Sequence, residues 1–193
     1  MRTPLALVCL LASAAPGRVA AQSAQRFSVQ ASALYANLLG DAYAKLNNGI
    51  GAEAQLRYTP GALSVGGGLQ WTHHTTTIGT APMSLYGFFV EPRYVIPTRS
   101  NTLAPYLSLR LSVLKQRITD AQFLGTATGL TDNVGAGLLF RLGSRMNVDL
   151  GGSFGYTIFS SLVLKDKTDG TTTTGVAGTG SNLILRAGLA VGI

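Results

Sequence analysis

Three features of the 193-residue chain invite a chemical reading: a histidine pair, a glycine run, and a set of ionisable residues at alternate positions. His73-His74 are the only histidines, and they are adjacent. Neighbours on a strand point to opposite faces, so the two cannot chelate one ion from the same side. No Asp, Glu or Cys follows within the next few positions, and the pair reads as polar residues at the top of a strand, with no metal expected. Neither histidine stands in a His-x-Ser pattern and no nucleophile elbow is expected, so no catalytic residue is assigned. Val65-Gly66-Gly67-Gly68 lacks the Lys and helix of a phosphate loop; it reads as mid-strand glycine that eases curvature and side-chain packing, and no cofactor is expected.

The ionisable residues are more informative. Glu53, Arg57, Glu91, Arg93, Arg110, Arg141, Asp149 and Arg186 fall on the polar side of alternating segments. If that side is enclosed, each charge must be paired or hydrated. The first reading is an internal ion-pair and hydrogen-bond network that fills a lumen and fixes strand register. A second uses the excess of five Arg over three acids to line a narrow, anion-preferring pore. A third, a lipid-modifying membrane enzyme, lacks the converging His, Ser and acid it needs.

The elements that hold these residues follow a period of two rather than 3.6. In Asn48–Thr59, Ile50, Ala52, Ala54, Leu56 and Tyr58 share one face, and Gly51, Glu53, Gln55 and Arg57 the other. Leu183, Leu185, Ala187, Leu189, Val191 and Ile193 alternate in the same way. Eight such segments are predicted: Arg26–Asn37, Asn48–Thr59, Ala62–His74, Met83–Ile96, Ala104–Arg117, Asp132–Leu142, Arg145–Ile158 and Asn182–Ile193. Each has about the ten residues that a tilted strand needs to cross a bilayer. Connections at Thr59–Gly61, Pro97–Thr102 and Gly143-Ser144 are short. Those at Leu38–Asn47, Thr75–Pro82, Ile118–Thr131 and Phe159–Ser181 are longer and polar, and the last, with Thr171–Thr174, is expected to be mobile. Short connections on one side and long ones on the other are the asymmetry of a barrel with tight periplasmic turns.

Composition points the same way. Arg2, the apolar stretch Leu5–Ala15 and the small residues Val19-Ala20-Ala21 read as an export signal cleaved after Ala21, which leaves 22–193 as one barrel domain. Cleavage removes Arg2, Arg18 and the only cysteine, Cys9, so the formal charge falls from +7 to +5 and no disulfide is possible. The remaining cations are scattered, which argues against nucleic acid as a partner. The polar face, as at Ser64, Gly66, Gly68 and Gln70, is too poor in Lys and Glu for an ordinary solvated surface. It is small enough to fit inside a barrel. Phe27, Tyr58, Tyr94 and Phe140 would then ring the lower interface, and Tyr35, Trp71, Tyr86, Phe88, Phe154 and Tyr156 the upper one, all facing lipid. The fold predicted is all-β: an eight-stranded antiparallel transmembrane up-and-down β-barrel in the outer membrane.

The signal, the eight segments and the closing stretch Ser181–Ile193 resemble the small outer-membrane β-barrel domains of the OmpA-transmembrane, OmpX and opacity-porin type. The resemblance covers nearly all of 22–193. It implies outer-membrane lipid and lipopolysaccharide as surroundings, the barrel-assembly machinery as the partner in biogenesis, and a monomer. It also implies a structural, adhesive or surface-interaction role through the outer loops. Members typically end in an aromatic residue, whereas this chain ends in Ile193.

Overall fold

A computed structural model describes residues 25–43, 46–76 and 82–193. The expected signal at 1–21 lies outside the described residues. Eight strands follow in order: β1 (Phe27–Leu39), β2 (Leu46–Tyr58), β3 (Leu63–Thr76), β4 (Met83–Val95), β5 (Leu103–Thr119), β6 (Phe123–Leu142), β7 (Met146–Asp166) and β8 (Thr172–Gly192). Each pairs antiparallel with the next, and β8 returns to β1 from Ser28↔Gly192 to Leu39↔Ser181, closing the barrel. A 3₁₀ turn, Asp41–Tyr43, follows β1. No helix among the described residues is long and apolar enough to cross a membrane; the crossing is made by strands.

Closure pairs the backbone amides and carbonyls within the wall, as the interior of a bilayer requires. The faces are inverted relative to a water-soluble barrel. Leu130 and Val134 are 66% and 64% exposed on the outside, while Glu91 and Asp149 are 1% and 0% exposed inside. The apolar face therefore meets lipid, and the polar face is the core.

The structure alters the predicted loops. Ile118–Thr131 and Phe159–Ser181 are mostly strand: β6 begins at Phe123, β7 runs to Asp166 and β8 begins at Thr172. Pairing continues to Thr119↔Leu124, Phe123↔Asp166 and Lys165↔Thr172, so the Thr171–Thr174 run lies largely inside a ladder. The reason is physical. Threonine favours strands, and a strand above the lipid needs no apolar outer face. Polarity there reflects water, not lack of order. β1–β4 have 13 or 14 residues, whereas β6–β8 have 20 or 21. At about 3.3 Å per residue along each strand, one side of the barrel carries a sheet well beyond the membrane.

Candidate functional site

The lumen is built from inward side chains that alternation places there. Lowest is an apolar collar of Ala62, Val95, Ala104, Tyr106 and Leu139. Above it lies the ionic layer. Glu91 on β4 accepts from four guanidinium groups: Arg57 Nη2 at 2.9 Å, Arg93 Nε at 2.5 Å, Arg110 Nε at 2.6 Å and Arg186 Nη1 at 2.9 Å. Glu53 pairs with Arg110 Nη1 at 2.7 Å and Arg186 Nη1 at 3.3 Å. Asp149 on β7 pairs with Arg93 Nη1 at 2.8 Å, and accepts from the Tyr106 hydroxyl and Gln30 Nε2, each at 2.7 Å. Arg57 also donates to Ser64 Oγ and Gln55 Oε1, and Arg110 to Gln70 Oε1. Every strand except β6 contributes a polar side chain to this layer, which crosses the whole lumen.

Planar guanidinium groups suit this crowding. Arg93 lies 4.3 Å over the Tyr106 ring and Arg110 3.9 Å over Phe89, so their faces are covered while their edges donate. Space is set by glycine. A Cβ on Gly137 or Gly151 would collide with the Tyr106 hydroxyl, and one on Gly66 with the Arg57 guanidinium.

Over the ionic layer, Asn133 Nδ2 donates to Asn182 Oδ1, Asn182 Nδ2 to Thr157 Oγ1, and Thr157 shares a hydrogen bond with Thr131. An apolar plug of Leu38, Tyr43, Met83, Leu85, Ala127 and Phe159 closes the top. Two cavities of about 30 Å³ and 20 Å³ flank the ionic layer, one below and one above. Each has room for a water or two, far from a continuous channel.

Of the eight residues read as the lumen network, the structure brings seven together. Arg141 stands apart. It is the last inward position of β6, below Leu139 of the collar, and its Nε donates to the Gly143 carbonyl of the turn at 2.8 Å. The layer thus holds four arginines against three acids, a surplus of one. Sequence reasoning placed Gln55 and Gln70 on the inward face without assigning them to the network, and it missed Tyr106, Gln30 and both apolar seals. Tyr106 was findable, because it is four residues from Arg110 and so on the same face.

The ten residues read as the girdle all point outward. Phe27, Tyr35, Tyr58, Trp71, Phe88, Phe154 and Tyr156 are well exposed, and Tyr86, Tyr94 and Phe140 half-buried. Phe27 and Tyr58 pack with ring centroids 4.9 Å apart, and the Tyr35 hydroxyl accepts from Asn48 Nδ2 at 2.7 Å.

The histidines separate as alternation requires. His73 is outside, stacked on Trp71; His74 is buried inside, bonded to Thr72 Oγ1 at 2.9 Å and facing the Asn47 carbonyl at 3.1 Å. No group of three residues able to hold a metal occurs among the described residues. The stretch Gly151-Gly152-Ser153-Phe154-Gly155 spells Gly-x-Ser-x-Gly, the pattern of a nucleophile elbow. An elbow requires a sharp strand-to-helix turn. Residues 151–155 instead run through β7 in unbroken register with β6 and β8.

The outward apolar belt, inward polar core and closed ladder describe a membrane barrel, and comparison with known proteins agrees. Residues 5–183 match the family described as outer membrane protein beta-barrel domain. The chain belongs to that family. This outer-membrane barrel is also similar to solved structures. Neisserial surface protein A (NspA) is 18% identical, over 89% of this chain and 100% of that one, with a TM-score of 0.66. OprG from Pseudomonas aeruginosa is 10% identical over 90% and 98%, with a TM-score of 0.59. Ail, the attachment invasion locus protein of Yersinia pestis, is 16% identical over 86% and 98%, with a TM-score of 0.52. A search of curated protein sequences returns no match. At these identities the likeness is one of fold. The protein is an outer-membrane β-barrel, located in the outer membrane.

Proposed function

We propose that this barrel is a non-conducting surface protein whose work is done by the strands it holds outside the membrane. The observation that carries the reading is the pairing of a filled lumen with an ordered projection. Above the level where β1 ends at Leu39, β6, β7 and β8 continue as a sheet. Its tip is polar and exposed, with Lys165, Lys167 and Thr171–Thr174, and Val176 is 91% exposed. Val176 sits where the β7–β8 register shifts, and a large exposed apolar residue on a projecting sheet suits contact with another surface. Two proteins of the same fold carry the words "surface protein" and "attachment invasion locus" in their names, which agrees with this reading without identifying a partner.

The test is to replace residues 160–178 with a two-residue Asn-Gly turn. Cells displaying the intact barrel should bind a host or neighbouring-cell surface, and cells displaying the shortened barrel should lose that binding. Both proteins should still migrate differently on a denaturing gel before and after boiling. Undiminished binding by the shortened barrel would refute the role assigned to the projection.

A further inference from the structure

We propose that the outer wall carries a groove for an acyl chain of a phosphorylated glycolipid of the outer leaflet, with Lys115 and Arg117 engaging its phosphate. The groove has a volume of about 750 Å³ and runs up the lipid-facing side of β2–β6. Two registered rows build it. The lower is Ala54↔Leu69↔Phe88↔Val113, and the upper is Ala52↔Trp71↔Tyr86↔Lys115. The alanines of β2 leave the wall low beside the rings of Trp71 and Phe88. At Gly87 a Cβ would collide with the Val113 carbonyl, so β4 and β5 approach closely beneath the groove.

The polar end fixes the occupant. On the outward face of β5, Leu107, Leu109, Leu111 and Val113 give way to Lys115 and then Arg117. The change falls level with the upper aromatic residues, since Lys115 shares the row of Trp71 and Tyr86, and Arg117 stands one row higher, towards the headgroups. In the next row, Arg117 lies across Ser84 from His73. Among the described residues, neither Lys115 nor Arg117 has an acidic partner. Two cations without acidic partners, one lining the upper end of an apolar trough and one a row higher, match a lipid with an anionic head and apolar chains. The groove opens on the extracellular half of the belt, the leaflet where lipopolysaccharide supplies the phosphate-bearing lipid. This inference rests on the outer-membrane placement and not on the role proposed for the projecting sheet.

Trp71, the only tryptophan, lines the groove and reports occupancy by its emission. The refolded full chain in detergent is titrated with bisphosphorylated lipid A, dephosphorylated lipid A and phosphatidylglycerol, with native mass spectrometry counting bound lipid. Bisphosphorylated lipid A should bind tightest and shift Trp71 emission. Lys115→Gln should weaken it about five-fold, and Lys115→Gln with Arg117→Gln by roughly 25-fold, at about five-fold per cation. Ala54→Phe should fill the groove and reduce binding of both lipid A forms without altering charge. The gel shift on boiling, unchanged in all variants, separates loss of the site from loss of the fold. Equal binding of the dephosphorylated form would overturn the proposal. So would equal binding of phosphatidylglycerol, or insensitivity to Ala54→Phe.

Discussion

Glu91 is the residue on which the lumen turns, because four arginines share its two oxygens. Removing one partner of a buried pair leaves uncompensated charge, at a cost of about 3–5 kcal/mol. Glu91→Ala should lower folding stability in urea titrations in lipid by that amount. Arg141→Ala, at the rim, should shift it by no more than about 0.5 kcal/mol. Equal effects would contradict their separation. Gly137→Ala should push Tyr106 off Asp149 and cost about 1–3 kcal/mol, as overpacking does. At the top of the barrel, burial pushes the Tyr43 phenol up to about 12, against a hydrogen bond with Thr157 that draws it down. The folded state therefore favours the neutral phenol. That stability is intact below pH 10 and is lost as pH rises from 10 towards 12. Tyr43→Phe should flatten this slope, and an unchanged slope would show that another group causes it. The faces of the charged residues were legible because a strand allows only two. Alternation says nothing about height, which is why Arg141 read as one of the network although it sits below the collar.

Among the strands, alternation with period two holds within the lipid and lapses above it. β1–β5 lie within a few residues of the predicted segments, because lipid demands an apolar residue at every second position there. The upper parts of β6, β7 and β8 escape that demand. Their Thr and Gly composition matches a loop as well as it matches a strand in water, and only the register with neighbours decides between them. Amide hydrogen exchange measures the difference. Amides of Gly125, Thr126, Val163 and Thr173 should be protected by ladder hydrogen bonds. Exchange at open-chain rates over 123–131 and 160–178 would return these segments to loops.

At the scale of the whole molecule, a closed eight-strand wall leaves a bore that side chains can fill. Here an apolar collar, an ionic layer and an apolar plug fill it in succession. The excess of one arginine within the ionic layer lies between those apolar seals and does not line a water path. On the function proposed above, chemistry directed at the outside world falls to the lipid-facing wall and the projecting sheet. Ion conductance of the refolded protein across a planar lipid bilayer tests this most directly. No stable current is expected at either polarity. Reproducible unitary steps, above all anion-selective ones diminished by Arg110→Ala, would contradict it.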